Sequence, residues 1–220
     1  MDDIFDNEKI YDSSGYNNDG TIVGSLSTVT DSIRYNCSTY FADGVNDHIV
    51  IDSTNFPKDN ITMSIWFKTS NTSPTGNHHW LFGCNLSYQM SIRGTDGALC
   101  IGYYLNNKRY AKQIVSKNLI NNEWHMCTST YDGNNIKIFI DGVLEYSIVI
   151  DNEYINGLLS DRTYFYLGRA ENNYAVKECY ISDARIYATA LTEAQVKELY
   201  NTSATIDNLG NAYARELVEI

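Results

Sequence analysis

Residues 121–150 read NNEWHMCTSTYDGNNIKIFIDGVLEYSIVI. Counted by residue type, the stretch holds Glu123, His125, Cys127, Asp132, Asp141 and Glu145, the ingredients of an acid–base or nucleophilic centre. Its periodicity says otherwise. Trp124–Tyr131 and Val143–Ile150 are rich in β-branched and aromatic residues, and between them Ile136, Ile138 and Ile140 share one face while Lys137 and Phe139 take the other. The connections are a four-residue turn, Asp132–Asn135, and a two-residue turn, Asp141-Gly142. Asp-Gly supplies the positive φ angles that a type I′ hairpin requires. The stretch is therefore a β-meander, and its turns alone account for Asp132 and Asp141. His125 shares parity with Cys127, Ser129 and Tyr131, so if Cys127 points inward, His125 is a structural histidine tucked at the strand end.

The same signals extend on both sides. ITMSIWFK, residues 61–68, alternates with a period of two. Residues 48–52, 80–84, 87–93, 98–104, 109–115, 163–169 and 178–187 also read as strands. Asp19-Gly20, Asp43-Gly44, Asp96-Gly97 and Asp132-Gly133 punctuate them as turn pairs. The chain has only two prolines, Pro57 and Pro74, which suits long paired strands. One segment departs from this pattern: ALTEAQVKELYN, residues 190–201, reads as a helix. Thr192 is its expected N-cap and Gln195 completes a capping box, with Val196, Leu199 and Tyr200 forming a narrow apolar stripe. The expected fold is all-β, an antiparallel jelly-roll β-sandwich with one short C-terminal helix. It spans residues 1–201, with 202–220 a connector or terminal strand leading to a following module.

Composition narrows the function. A chain of 220 residues can bury a sizeable core in one domain. Its net charge of −11, without a basic run, argues against nucleic acid and anionic lipid as partners. No apolar run reaches transmembrane length, so membrane insertion is not expected. The five cysteines, Cys37, Cys84, Cys100, Cys127 and Cys179, lack CxxC spacing and read as reduced, apolar residues. The opening MDDIFDNEKI is acidic and has no apolar leader core, which suggests a piece of a larger protein or one exported without such a leader, as phage virion proteins are. The expected location is extracellular, at a cell surface or on a virion.

Five segments in order resemble the laminin-G-like, concanavalin A-like jelly-roll family. They are YDSSGYNNDGTIVG (11–24), FADGVNDHIVI (41–51), ITMSIWFK (61–68), EWHMCTSTYDGNNIKIFIDGV (123–143) and YISDARIYATALTEAQVKELY (180–200). His48, Cys127, Ser129 and Thr189 depart from the residues usual at their positions, which bears on packing. The resemblance specifies the fold more than the function, because this fold hosts lectins, adhesion modules and glycanases. It implies that a glycanase would carry E-x-D-x-x-E on one strand, and the chain has no such pattern. A non-enzyme is expected.

Two sets of residues remain as functional candidates. DSSGYNNDG, residues 12–20, offers Asp12, Asn17 and Asn18 as oxygen donors in a Gly-bent loop, although Asp, Asn and Gly also make plain turns. The resemblance implies that Asp12 shares a structural Ca²⁺ with Asp183 of the closing motif. For a sugar, flat aromatics and polar groups are needed, and Trp80, Tyr88, Arg93, Tyr103, Tyr104, Arg109, Asn172, Asn173 and Tyr174 supply them. The expected function is a carbohydrate-binding, cell-surface attachment module of a larger secreted, surface or virion protein. Its partner would be a cell-surface glycan or polysaccharide. The alternatives are a structural phage tail or fibre domain, packed in a homo-oligomer or against neighbouring domains, and last a glycanase.

Overall fold

The computed structural model describes residues 9–29, 38–41, 46–52, 56–72, 78–83, 87–105, 108–114, 116–150, 164–170 and 176–205. Two antiparallel sheets face each other. In sheet A the order is β1 (Lys9–Ile10), β2 (Gly20–Val23), β5 (His48–Asp52), β14 (Tyr164–Leu167), β7 (His78–Gly83), β8 (Tyr88–Arg93), β9 (Leu99–Leu105) and β10 (Lys108–Ile114). In sheet B it is β13 (Val143–Val149), β12 (Asn135–Ile140), β11 (His125–Tyr131), β6 (Ile61–Thr69), β15 (Cys179–Tyr187), β4 (Ser38–Phe41) and β3 (Ser27–Val29). The one helix among the described residues, α1 (Glu193–Thr205), follows β15. This is the jelly-roll sandwich that the periodicity predicts.

The meander of residues 121–150 is in place. Cys127 pairs with Ile140 and Tyr131 with Ile136 across β11–β12. Asp141 and Gly142 both have positive φ, 53° and 73°, as a type I′ turn demands. Cys127, Tyr131, Ile136, Ile138 and Ile140 point into the core between the sheets. Phe139 and Met126 point the other way, into a second apolar cluster.

That second cluster is the underside of α1. Trp66, Met126 and Phe139 on the outer face of sheet B meet Val196 and Leu199 of the helix. Tyr200 stacks on Trp66, with centroids 5.4 Å apart and planes 16° from parallel. The capping box forms: Gln195 N donates to Thr192 Oγ1 at 3.3 Å, and Thr192 N donates to Gln195 Oε1 at 2.9 Å. Lys137 on β12 pairs with Glu193 in the first turn at 2.8 Å. The helix thereby covers the outer face of sheet B over β6, β11 and β12.

Three expectations need correction. The helix does not stop at Asn201 but continues to Thr205, into the stretch read as a connector. No Gly or Pro breaks it there, and Thr202 Oγ1 donates to the Glu198 carbonyl at 2.7 Å. Asp19-Gly20 is no turn pair, since Gly20 opens β2 opposite Ile51 and a Cβ there would collide with the Ile49 side chain. Asp96-Gly97 and Asp132-Gly133 are turns, but in each only the glycine has positive φ, so neither is type I′. Asp43-Gly44 lies outside the described residues.

Candidate functional site

Among the described residues sheet A has no counterpart to α1, and no helix or strand covers its outer face. Alternation decides what is displayed there. On β8, Tyr88, Met90 and Ile92 enter the core, leaving Gln89, Ser91 and Arg93 outside. On β9, Leu99, Ile101, Tyr103 and Leu105 enter the core, leaving Cys100, Gly102 and Tyr104 outside. On β10, Tyr110 packs against the core, leaving Arg109, Ala111 and Gln113 outside. His78 and Trp80 join this face from β7, ahead of a bulge between Trp80 and Phe82.

The register sets these side chains in rows. Trp80 pairs with Ser91, Ser91 with Cys100, and Cys100 with Gln113. Gln89 pairs with Gly102, and Gly102 with Ala111. Tyr104 pairs with Arg109, and His78 with Arg93. The middle of the face is thus built of small residues, with aromatics and guanidinium groups around them. Gly102 is required: a Cβ there would stand 2.8 Å from Gln89 Cγ, so the glycine lets the Gln89 side chain lie flat across β9.

Hydrogen bonds fix the rim. Arg93 donates from Nε to Asp96 Oδ1 at 2.8 Å, from Nη2 to Asp96 Oδ2, and from Nη1 to Gln113 Oε1 at 2.6 Å. That fork holds the Asp96 carboxyl down to about 2. His78 Nδ1 meets Ser91 Oγ at 2.9 Å, and its ring lies 5.6 Å from that of Trp80. Burial, then the charges of Arg93 and Arg109, keep His78 below the usual imidazole range against the opposing pull of Asp96. With the Gln89 amide assigned so that its oxygen rather than its nitrogen faces the guanidinium, Gln89 Oε1 accepts from Arg109 Nη2 at 2.9 Å and from Nε at 3.2 Å. Burial pushes the Cys100 thiol up to about 11, so it is no nucleophile.

Of the nine residues read as sugar ligands, four share this face: Trp80, Arg93, Tyr104 and Arg109. Tyr88 and Tyr103 do not, and that expectation is corrected. Their relative exposures are 1% and 0%, and both lie between the sheets. Tyr103 hydrogen-bonds Ser129 Oγ at 2.7 Å, and Tyr88 packs 5.8 Å from the Phe165 ring. Adjacent strand residues face opposite ways, so Tyr103 and Tyr104 could never serve one surface. Asn172, Asn173 and Tyr174 lie outside the described residues. Gln89, Ser91 and His78 complete the face and were missed; the polar alternation of Gln89, Ser91 and Arg93 was the signal that could have found them.

The proposed calcium donors are engaged elsewhere. Asp12 Oδ1 accepts from Ser14 N at 2.9 Å, while Oδ2 accepts from Ser14 Oγ at 2.7 Å, Asn18 N at 2.9 Å and Asn18 Nδ2 at 3.2 Å. Burial raises the Asp12 carboxyl, but these bonds outweigh it and hold it below the ordinary range. Asn17 takes a positive φ of 58° in the same loop. Asp183 sits at the β15 bulge, where Arg185 Nε donates to its Oδ1 at 2.6 Å. Among the described residues no three His, Cys, Asp or Glu side chains gather as a metal site. As folded, this donor set does not fit a calcium ion, because loop N–H groups and a guanidinium fill the carboxylates.

The polar cluster of the meander is also structural. His125 places Nδ1 3.0 Å from Asp141 Oδ2 and Nε2 3.1 Å from Asn121 Oδ1. Asp141 Oδ1 accepts from Met126 N at 3.0 Å. Burial pushes the Asp141 carboxyl up, but the bonds from His125 and Met126 and the charge of Lys117 bring it below its usual range. These contacts tie the β12–β13 turn to the start of β11.

The family model for the concanavalin A-like lectin/glucanases superfamily matches residues 43–197, more than half of the chain. The chain belongs to that superfamily. No curated protein matches its sequence. Solved structures share its fold. The binding domain of Paraclostridial Mosquitocidal Protein 1 aligns with a TM-score of 0.72 at 19% identity, over 90% of this chain and 50% of that one. A botulinum neurotoxin type C structure, described through its dependence on two ganglioside molecules for cell entry, aligns at 0.68 and 15%, over 90% and 51%. The serotype D ligand-binding domain in complex with N-acetylneuraminic acid aligns at 0.69 and 18%, over 88% and 48%. This superfamily member spans about half the length of each, and the likeness is one of fold. No helix among the described residues is long and apolar enough to cross a membrane.

Proposed function

We propose that the chain is a non-catalytic recognition module that holds a cell-surface glycan on the outer face of sheet A, as part of a larger secreted, surface or virion protein. One observation carries this reading. The outer face of sheet A, over which no helix or strand lies among the described residues, carries Trp80 and Tyr104 for stacking, with Arg93, Arg109 and His78 as hydrogen-bonding groups around a floor in which Gln89 and Ser91 are nearly buried. Strands β7–β10 contain no Asp or Glu, whereas glycosidic hydrolysis requires a carboxyl pair flanking the bond. Two of these solved neighbours are named as binding domains, and two are described through ganglioside or N-acetylneuraminic acid, which supports a glycan as ligand. A glycan array tests the reading, followed by Trp80→Ala and Tyr104→Ala. Each is expected to lower affinity for the array hit at least tenfold. A folded protein with no hit, or a hit that neither substitution weakens, would overturn it.

A second reading rests on the edge strand β13, where Val143, Leu144 and Val149 are exposed. A structural domain that packs against copies or neighbours through this edge would explain them. Light scattering of the purified chain tests self-association through this edge: a monomer at working concentration removes packing against copies.

A further inference from the structure

This inference rests on the glycan reading and names the class of sugar. The chain as a whole carries 27 Asp and Glu against 16 Lys and Arg. Strands β7–β10 reverse that balance, with no carboxylate and with Arg93, Lys108, Arg109 and Lys112. Lys112 leaves the outer face, its Nζ lying 4.2 Å from the Tyr146 ring centroid. The two arginines on the outer face are then treated differently. Arg93 is neutralised by Asp96. Arg109 is held by Gln89, a neutral amide, and among the described residues no carboxylate pairs with it.

An amide partner and a carboxylate partner do different things. Both orient the guanidinium plane, but only the carboxylate cancels its charge. Gln89 is nearly buried and lies over Gly102, so it fixes Arg109 by Nη2 and Nε without neutralising it. Tyr104 is the cross-strand partner of Arg109 and shares its face of the sheet. We infer that this corner of the face binds a carboxylate-bearing sugar, its carboxylate on the Arg109 guanidinium and its ring against Tyr104. Neutral saccharides would engage the aromatic and amide groups but leave Arg109 unused.

The experiment measures binding by calorimetry of two acidic probes and their neutral counterparts: 3′-sialyllactose against lactose, and tetragalacturonate against its carboxyl-reduced form. Each acid is a separate arm, so the two sources of a sugar carboxylate, nonulosonic and uronic acid, are told apart. At least one acid is expected to bind tenfold or more tighter than its neutral partner, with affinity falling as salt rises. Arg109→Gln is expected to erase that preference. Gln89→Glu is the sharper variant, because it keeps the shape and gives Arg109 the neutralising partner that Arg93 already has. It should lose acid binding tenfold or more while thermal unfolding shows the fold intact. Equal binding of acid and neutral probes, weakened by Tyr104→Ala, would overturn this inference and leave the glycan reading standing. Acid binding unchanged in both Arg109→Gln and Gln89→Glu would also overturn it. Failure of all four probes, together with an empty glycan array, would overturn both.

Discussion

Tyr103→Phe tests the assignment of faces on sheet A. The Tyr103 hydroxyl and Ser129 Oγ lie 2.7 Å apart across the core, joining β9 of one sheet to β11 of the other. The substitution removes only an oxygen, and the ring keeps its place 5.7 Å from that of Tyr131. It strands the Ser129 hydroxyl, which is fully buried and has no other hydrogen-bond partner among the described residues. An orphaned buried hydroxyl costs about 1–3 kcal/mol. At roughly 2–4 °C per kcal/mol for a chain of this size, the thermal midpoint should fall by about 2–12 °C. Ser129→Ala should cost a similar amount, and the Tyr103→Phe/Ser129→Ala double variant less than the sum, with a coupling of roughly 0.5–3 kcal/mol. Urea unfolding followed by circular dichroism measures all three. Burial pushes the Tyr103 phenol well above its usual range, so its absorbance should not titrate before the fold is lost. Glycan binding should be unchanged by Tyr103→Phe. A variant as stable as the parent but impaired in binding would refute the inward placement of Tyr103, and with it the face described around Arg109.

Other outcomes follow from separate parts of the molecule. Leu199→Ala, at a helix residue packed with Trp66, Met126 and Phe139, should cost about 2–5 kcal/mol and shift Trp fluorescence, measured by chemical unfolding. Gly168→Ala combines a φ of 81° with a Cβ driven into the Phe41 ring, so a loss of at least about 1–3 kcal/mol is expected in the same assay. Asp141 has a lowered carboxyl pKa in the folded state, so its contribution is present above the unfolded value of about 4 and is lost as pH falls through the folded value. Asp141→Asn should therefore destabilise the chain at neutral pH, with the gap to the parent closing below about pH 4. With Asp12 and Asp183 engaged as described, chelator should leave the thermal midpoint unchanged; a midpoint raised by added calcium would show that Arg185 yields Asp183 to the ion.

Much of the fold could be read in advance because its longest strands carry strong local signals. Ile136, Ile138 and Ile140 state their period within five residues, and Asp141-Gly142 states its turn. β1 to β4 were not legible because they are only two to four residues long, too short to state a period, and β2 and β4 also pair with the more distant β5 and β15. The bulges near Trp80 on β7 and after Ser182 on β15 shift register without any sequence mark. The candidate site was only half legible. Trp80, Arg93, Tyr104 and Arg109 were found by residue type, but residue type also brought in Tyr88 and Tyr103, which strand parity should have excluded. The role of Gln89 could not be read at all, since it depends on a glycine one strand away and an arginine two strands away.

The position of α1 has a practical consequence. The helix is seated on sheet B, so the backbone reaches Thr205 on the side of the sandwich turned away from Arg109. A handle joined beyond the helix would anchor the molecule by its back, with the arginine-bearing surface directed outward. For a biosensor chip or a display scaffold, C-terminal tethering is the orientation that keeps the palm of the molecule free.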